Sequence, residues 1–105
     1  MMSGVTTLPN SRYINTTLGL KYLNNNQQLY LKILNRFVER YKEFNIHHLK
    51  EEEFKTQMHT LKGLSSTLGM ERLSELAQIL EEHQSDETLE EFTTILTSIL
   101  TTLHS

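Results

Sequence analysis

The chain contains no cysteine and no tryptophan, and its single proline, Pro9, lies near the N-terminus. Without cysteine the protein has no disulfide, no thiolate metal ligand and no cysteine nucleophile. No apolar run approaches the ~18 residues that a membrane-spanning helix needs, and no signal peptide is recognisable. We therefore expect a cytoplasmic protein, and the lack of cysteine is compatible with that compartment.

Positive charge is also scarce. The 105 residues include 10 Lys and Arg against 13 Asp and Glu, which gives a formal net charge of -3. Because there is no surplus of cations to neutralise phosphates, we expect no general nucleic-acid binding. The sequence also has no Gly-rich phosphate-binding loop, so it does not indicate a nucleotide-binding kinase. Its length suffices for one domain with a modest core.

The few breakers that follow Pro9 favour an all-α fold. Asn15 is a candidate N-cap for a short helix that ends at Leu23. Apolar periodicity predicts four longer amphipathic helices, at 27–44, 49–68, 70–83 and 87–103. Their short connections predict an up-and-down four-helix bundle with a short additional N-terminal helix. We expect residues 1–14 to form an arm or linker and residues 15–105 to form the bundle domain.

The third of these segments has a clear buried face. Five positions cluster within about 40° of one direction around the helix axis at 100° per residue, and they are Phe54, Met58, Leu61, Ser65 and Leu68. The second segment has an apolar stripe, which Tyr30 and Leu34 widen, at Leu29, Ile33, Phe37 and Tyr41. Of its aromatic residues, Tyr30, Phe37 and Tyr41 are expected in the core.

His59 points about 140° away from Phe54 and should be exposed. Lys62, Gly63 and Ser66 follow it at i+3, i+4 and i+7, so the four residues share one side of the helix. We call them the histidine patch. Glycine inside a helix lowers helix stability by roughly 1 kcal/mol relative to alanine. The presence of Gly63 therefore needs an explanation.

The histidine patch suits phosphoryl chemistry. A neutral imidazole has a nitrogen lone pair and can act as a nucleophile. Lys62 is placed to compensate the charge of a phosphoryl group on the ring, and Ser66 to donate a hydrogen bond to it. Gly63 removes a side chain that would crowd an incoming partner. No carboxylate lies at i±3 or i±4 to activate water, and Lys55 occupies i−4.

The stretch "HTLKGLSSTLG" resembles the signature of histidine-containing phosphotransfer (HPt) domains. That signature has a histidine, a lysine at +3, a glycine at +4, a small residue near +7 and a glycine at +10. The resemblance covers residues 15–82, through "LGLKYLNNNQQLYLKILNRF" before the signature and "ERLSELAQILEE" after it, whereas the last helix fits by pattern only. Leu64 departs from the family, in which many members carry a smaller residue there.

The resemblance implies a phosphorelay intermediate. His59 would accept a phosphoryl group from a receiver-domain aspartate and pass it to another receiver, with Lys62 stabilising the charge. Gly63, Ser66 and Lys55 would contact the receiver, and Gly69 would have a structural role in close packing or helix termination. Such a chain is a stoichiometric carrier, not an enzyme; it needs no cofactor or metal, since Mg²⁺ belongs to the receiver. We expect a monomer, either free-standing or the C-terminal domain of a hybrid sensor histidine kinase.

Other interpretations are open. The remaining histidines, His47, His48, His83 and His104, are expected to be ordinary solvated residues, and two adjacent histidines make a weak zinc site. A non-catalytic helical adaptor that binds a receiver or another signalling protein is the main alternative for the whole chain. A small hydrolase with a general-base histidine would need an orienting carboxylate and a pocket.

Overall fold

A computed structural model describes residues 4–103, which form five α-helices and no strand within that range. The helices are α1 (Thr16–Tyr22), α2 (Gln27–Tyr41), α3 (Glu51–Leu68), α4 (Glu71–Glu82) and α5 (Asp86–Leu103), with a single 3₁₀ turn at Ile46–His48. The predicted all-α bundle with a short N-terminal helix is confirmed. None of the described helices is long and apolar enough to cross a bilayer.

Asparagines set the ends of the first two helices. The Asn15 side chain caps α1 and the Asn26 side chain caps α2, each by accepting a hydrogen bond from a backbone N–H three residues on, at 3.1 and 3.0 Å. Between the helices, Asn24 and Asn25 have φ of 55° and 60°. Asparagine tolerates this left-handed region better than most residues, which explains why "NNN" both ends α1 and starts α2.

The core lies between the inner faces of the helices. All five residues predicted for the buried face of α3 are buried. On α2 the buried positions are Tyr30, Leu34, Phe37 and Tyr41, whereas Leu29 is 37% exposed. Leu29 lies on the predicted apolar stripe but outside the core because a row of i+4 steps drifts: three steps from Leu29 to Tyr41 turn by about 120° at 100° per residue.

Two glycines allow helix backbones to meet where α3 ends. Gly69 has φ of 83° and its carbonyl accepts a hydrogen bond from the Asn15 N–H at 2.8 Å. A Cβ at Gly69 would lie 2.0 Å from the Asn15 carbonyl oxygen, and one at Gly19 would lie 2.7 Å from the Leu68 oxygen. The Tyr30 hydroxyl donates to that same Leu68 oxygen at 2.7 Å. Only glycine permits such an approach, so α1 is joined to the end of α3 backbone to backbone.

The segment before α1 packs on the bundle. The Asn35 side chain of α2 accepts a hydrogen bond from the Val5 N–H and donates to the Val5 carbonyl oxygen at 2.8 Å. Ile14 is buried at 5% exposure, and Leu8 packs against the core. These contacts tie residues 4–14 to α2, and the boundary between arm and bundle domain at residue 15 stays a prediction.

Candidate functional site

Helix α3 presents the histidine patch to solvent near its middle. The His59 side chain is 69% exposed and that of Lys62 is 32% exposed. Gly63 and Ser66 are exposed on the same side, and their neighbours Met58, Leu61 and Ser65 are fully buried. The 3.6-residue repeat therefore separates a core face from a reactive face within one helix.

Open space surrounds Gly63. A Cβ built at this position would meet no atom of residues 4–103 within 4 Å, in contrast to the crowded positions Gly19 and Gly69. Gly63 is therefore not required by the packing of this chain, although it weakens the helix by roughly 1 kcal/mol relative to alanine. This loss of helix stability is consistent with a requirement that no side chain project from the surface beside His59.

Hydroxyl groups hold the helix backbone around Gly63. The Ser65 hydroxyl donates to the Leu61 carbonyl oxygen at 2.6 Å, and the Thr67 hydroxyl donates to the Gly63 carbonyl oxygen at 3.0 Å. From α4, the Ser74 hydroxyl donates to the Lys62 carbonyl oxygen at 3.1 Å. Side-chain donors of this kind give carbonyls of the helix a second partner. The Ser74 bond joins α4 to the part of the α3 backbone that carries the patch.

A carboxylate from α4 reaches the patch. Glu81 Oε2 lies 3.1 Å from His59 Nδ1, and Glu81 Oε1 lies 3.9 Å from Lys62 Nζ. The Glu81 side chain is 27% exposed, which is less than either partner. The sequence reasoning missed Glu81 because it considered only the turns of α3 next to His59. That search was correct for α3, but it could not include a residue of the packed neighbour.

A signal for Glu81 was nevertheless present. Helices α3 and α4 form an antiparallel hairpin that turns at Gly69 and Met70. Counting outward from Gly69, His59 lies ten residues before and Glu81 twelve residues after it. Residues at similar distances from the turn of a helical hairpin lie side by side. Placing Gly69 at the helix end would therefore have brought α4 carboxylates into consideration.

The remaining predicted residues lie at different distances from His59. Lys55 is exposed one turn earlier on α3, with no ion pair to any residue in the range 4–103. Gly69 lies about 15 Å along the helix from His59, by the rise per residue of an α-helix, so it shapes the end of α3 and does not join the patch. Of the other histidines, His47, His48 and His83 are exposed. His104 lies outside the described residues.

The arrangement offers a nucleophile, a cation and an open approach. His59 has Nδ1 against Glu81, and its Nε2 has no hydrogen-bond partner among residues 4–103. Lys62 stands beside it as a partly exposed ammonium group, and the surface over Gly63 is unobstructed. A group delivered by a bulky partner can reach Nε2, and its charge can be met by a cation.

Comparisons with known proteins agree with this geometry. Neither the comparison with curated proteins nor that with solved structures gave a significant match. The family model described as Hpt domain matches residues 45–105, which include α3, α4 and α5 and the whole histidine patch. This match covers more than half of the chain, and it confirms the resemblance drawn from the signature around His59. The chain belongs to the Hpt domain family, whose members carry phosphoryl groups in two-component signalling.

Proposed function

We propose that this chain is a phosphorelay intermediate in which His59 accepts a phosphoryl group from a receiver-domain aspartate and passes it to a second receiver. The observation that carries the proposal is the position of His59, which is 69% exposed beside Gly63, where an added Cβ would have no atom of the described residues within 4 Å. A receiver delivers its phosphoryl group from an aspartate on its own surface, so the acceptor must stand clear of neighbouring side chains. The patch meets that requirement.

Lys62 is the proposed electrostatic partner. Its ammonium group is held loosely, since the 3.9 Å to Glu81 is at the outer limit of an ion pair and the side chain is 32% exposed. A long flexible lysine can turn towards a phosphoryl oxygen on Nε2 with little rearrangement. We expect Ser66 and Lys55, exposed on the same helix, to contact the receiver.

A hydrolase with His59 as general base is not favoured, although Glu81 supplies the orienting carboxylate that such an enzyme needs. A substrate also requires a concave site. The structure has a cleft of about 510 Å³ between α2 and α5, lined by residues such as Val38, Phe92 and Leu96. Within the described range no residue of α3 or α4 lines this cleft, so it does not serve His59.

The proposed partners are receiver domains in the cytoplasm, either on separate chains or within a hybrid sensor kinase. The same chemistry serves both arrangements, because the receiver supplies the aspartate and the Mg²⁺. We propose that the chain works as a monomer, which sedimentation equilibrium would check. A homodimer that buried the histidine patch would contradict it.

The test is phosphoryl transfer from a purified phosphorylated receiver domain to the wild-type chain and to His59→Gln. We expect label that is labile to acid and stable to base on the wild type alone. His83→Gln is the matched control, since it removes an exposed histidine outside the patch and should label fully. Equal labelling of the His59 variant would move the site elsewhere. No labelling across several receivers would favour the non-catalytic adaptor.

A further inference from the structure

The cleft between α2 and α5 is a second concave feature, separate from the histidine patch. Its volume of about 510 Å³ lies within the range of about 300–1,000 Å³ that is typical of ligand pockets. Its lining comes from the end of α2 and the segment that follows, within residues 38–46, and from α5, within residues 92–101. A closed apolar cavity of about 150 Å³ is enough to hold benzene. The cleft therefore has room for a substituted aromatic ring.

The walls of this cleft are apolar and partly aromatic. Phe92 and Leu96 line it from α5, one helical turn apart, and Val38 and Phe44 line it from the other side. The Phe44 ring stands edge-on to the Tyr41 ring, with the ring centres 5.4 Å apart. Aromatic rings prefer such edge-to-face contacts. A further aromatic ring therefore finds both apolar surface and suitable ring partners in the cleft.

The rim of the cleft is polar but carries little net charge. Thr93, Thr97 and Thr101 follow one another at i+4 steps along α5, line the cleft and are exposed. Within the described part of the chain, the charged residues that line the cleft are Lys42 and Glu43, whose charges are opposite. An uncharged ligand suits such a rim better than an ion does.

The Tyr41 hydroxyl is a hydrogen-bond donor without a partner at this cleft. Tyr41 is 1% exposed and lines the cleft, and its hydroxyl makes no hydrogen bond to residues 4–103. The Arg40 guanidinium carbon lies 5.9 Å from the centre of the Tyr41 ring, but an arginine only donates and so cannot accept the hydroxyl proton. Burial raises the pKa of Tyr41, so the hydroxyl keeps its proton at neutral pH.

A buried hydroxyl without a partner destabilises the fold, and its presence needs an explanation. Phenylalanine would fill the same apolar surroundings without an unmatched donor. We propose that the cleft between α2 and α5 binds a small, uncharged aromatic molecule with a carbonyl oxygen, which accepts a hydrogen bond from the Tyr41 hydroxyl. Phe44 follows the end of α2 and is half-buried, so its ring can shift to open the way to the hydroxyl.

The test uses two probes of the same shape. Acetophenone has an aromatic ring and a carbonyl oxygen, whereas α-methylstyrene has a methylene group in place of that oxygen and no acceptor. Titrations followed by ¹H–¹⁵N NMR should shift amide signals within residues 38–46 and 92–101. Because one hydrogen bond is lost, acetophenone should bind Tyr41→Phe about fivefold more weakly than wild type. The affinity for α-methylstyrene should be the same in both chains.

Two threonine variants on α5 provide a matched control for the location. In Thr97→Phe the new ring should fold over the apolar walls and weaken acetophenone binding severalfold. Thr94 is also exposed on α5 but does not line the cleft, so Thr94→Phe should bind as wild type does. Circular dichroism would confirm that each variant is folded.

Equal affinity of acetophenone for wild type and Tyr41→Phe would overturn the inference, as would shifts confined to residues outside the cleft or no binding at all. The inference does not depend on the proposed function, because no described residue of α3 or α4 lines the cleft. For the same reason, Tyr41→Phe should be labelled in the phosphoryl transfer assay as fully as wild type.

Discussion

Two buried tyrosines on α2 offer a matched test of the packing described above. Tyr30 and Tyr41 are 0% and 1% exposed, and the Tyr30 hydroxyl donates to the Leu68 carbonyl oxygen at 2.7 Å. The Tyr41 hydroxyl is buried without a hydrogen-bond partner in the described part of the chain. The same substitution, tyrosine to phenylalanine, should therefore have different effects at the two positions.

The magnitudes follow from what each change leaves behind. Tyr30→Phe strands a buried carbonyl at the end of α3, which costs about 1–3 kcal/mol of the free energy of unfolding. Tyr41→Phe removes a polar group that had no partner, so its effect should lie between zero and a gain of about 1 kcal/mol. We expect the two variants to differ by about 2 kcal/mol, or roughly 8–16 °C in Tm for a domain of this size.

Urea unfolding followed by circular dichroism measures the difference, with the slope of the transition as a check that the unfolded states are comparable. The double variant should show the sum of the two effects if the sites are independent. An equal loss of stability in both single variants would refute the reasoning, since it would mean that the Tyr41 hydroxyl has a partner as good as that of Tyr30.

Three further predictions concern stability and docking. Gly63→Ala should raise the free energy of unfolding by up to about 1 kcal/mol and slow phosphoryl transfer, as measured by urea titration and the transfer assay. Gly69→Ala should lower the free energy of unfolding by more than about 1 kcal/mol because the φ of Gly69 is left-handed. A stabilised Gly69 variant would contradict the fold. Burial raises the pKa of both Tyr30 and Tyr41 above the usual 10.0. The stability that these residues contribute is therefore complete below pH 10 and is lost as the pH rises through the raised pKa values. Urea midpoints measured from about pH 8 upwards should fall above about pH 10, and they should fall less steeply in Tyr41→Phe. Asn35→Ala should release the N-terminal segment and lower the free energy of unfolding by about 1 kcal/mol. Proteolysis before α1 should then be faster. Unchanged cleavage would mean that the Asn35 side chain does not hold the segment.

Periodicity was a sufficient guide to the helices and to the faces of α3. The stripe from Phe54 to Leu68 is long and regular, so the outward direction of His59 followed from helix geometry alone. The Asn15 cap was equally readable, because a short polar side chain before an apolar repeat has a specific hydrogen-bonding role. Such features depend on neighbours within one helix, which are fixed by the sequence itself.

Features that depend on the packing of two helices could not be predicted from the periodicity of either helix. The close approach of the Leu68 carbonyl to Gly19 depends on the packing of α1 on α3, and Glu81 entered the site only through the packing of α4 on α3. A sequence shows that a glycine is present but not which backbone approaches it. The loops set how the helices lie against one another and so which residues meet. Loops are the least regular parts of a helical fold.

The residues proposed to carry the chemistry lie in one helical hairpin. His59, Lys62 and Glu81 lie within 23 residues of one another along the chain, and the Ser74 hydroxyl joins the same two helices. Contacts so close in sequence form early during folding, because little loop entropy opposes them. The helices α1 and α2 and the N-terminal segment can then vary without disturbing the proposed reacting groups. Grafting those outer parts from a related chain should leave the acceptor geometry unchanged.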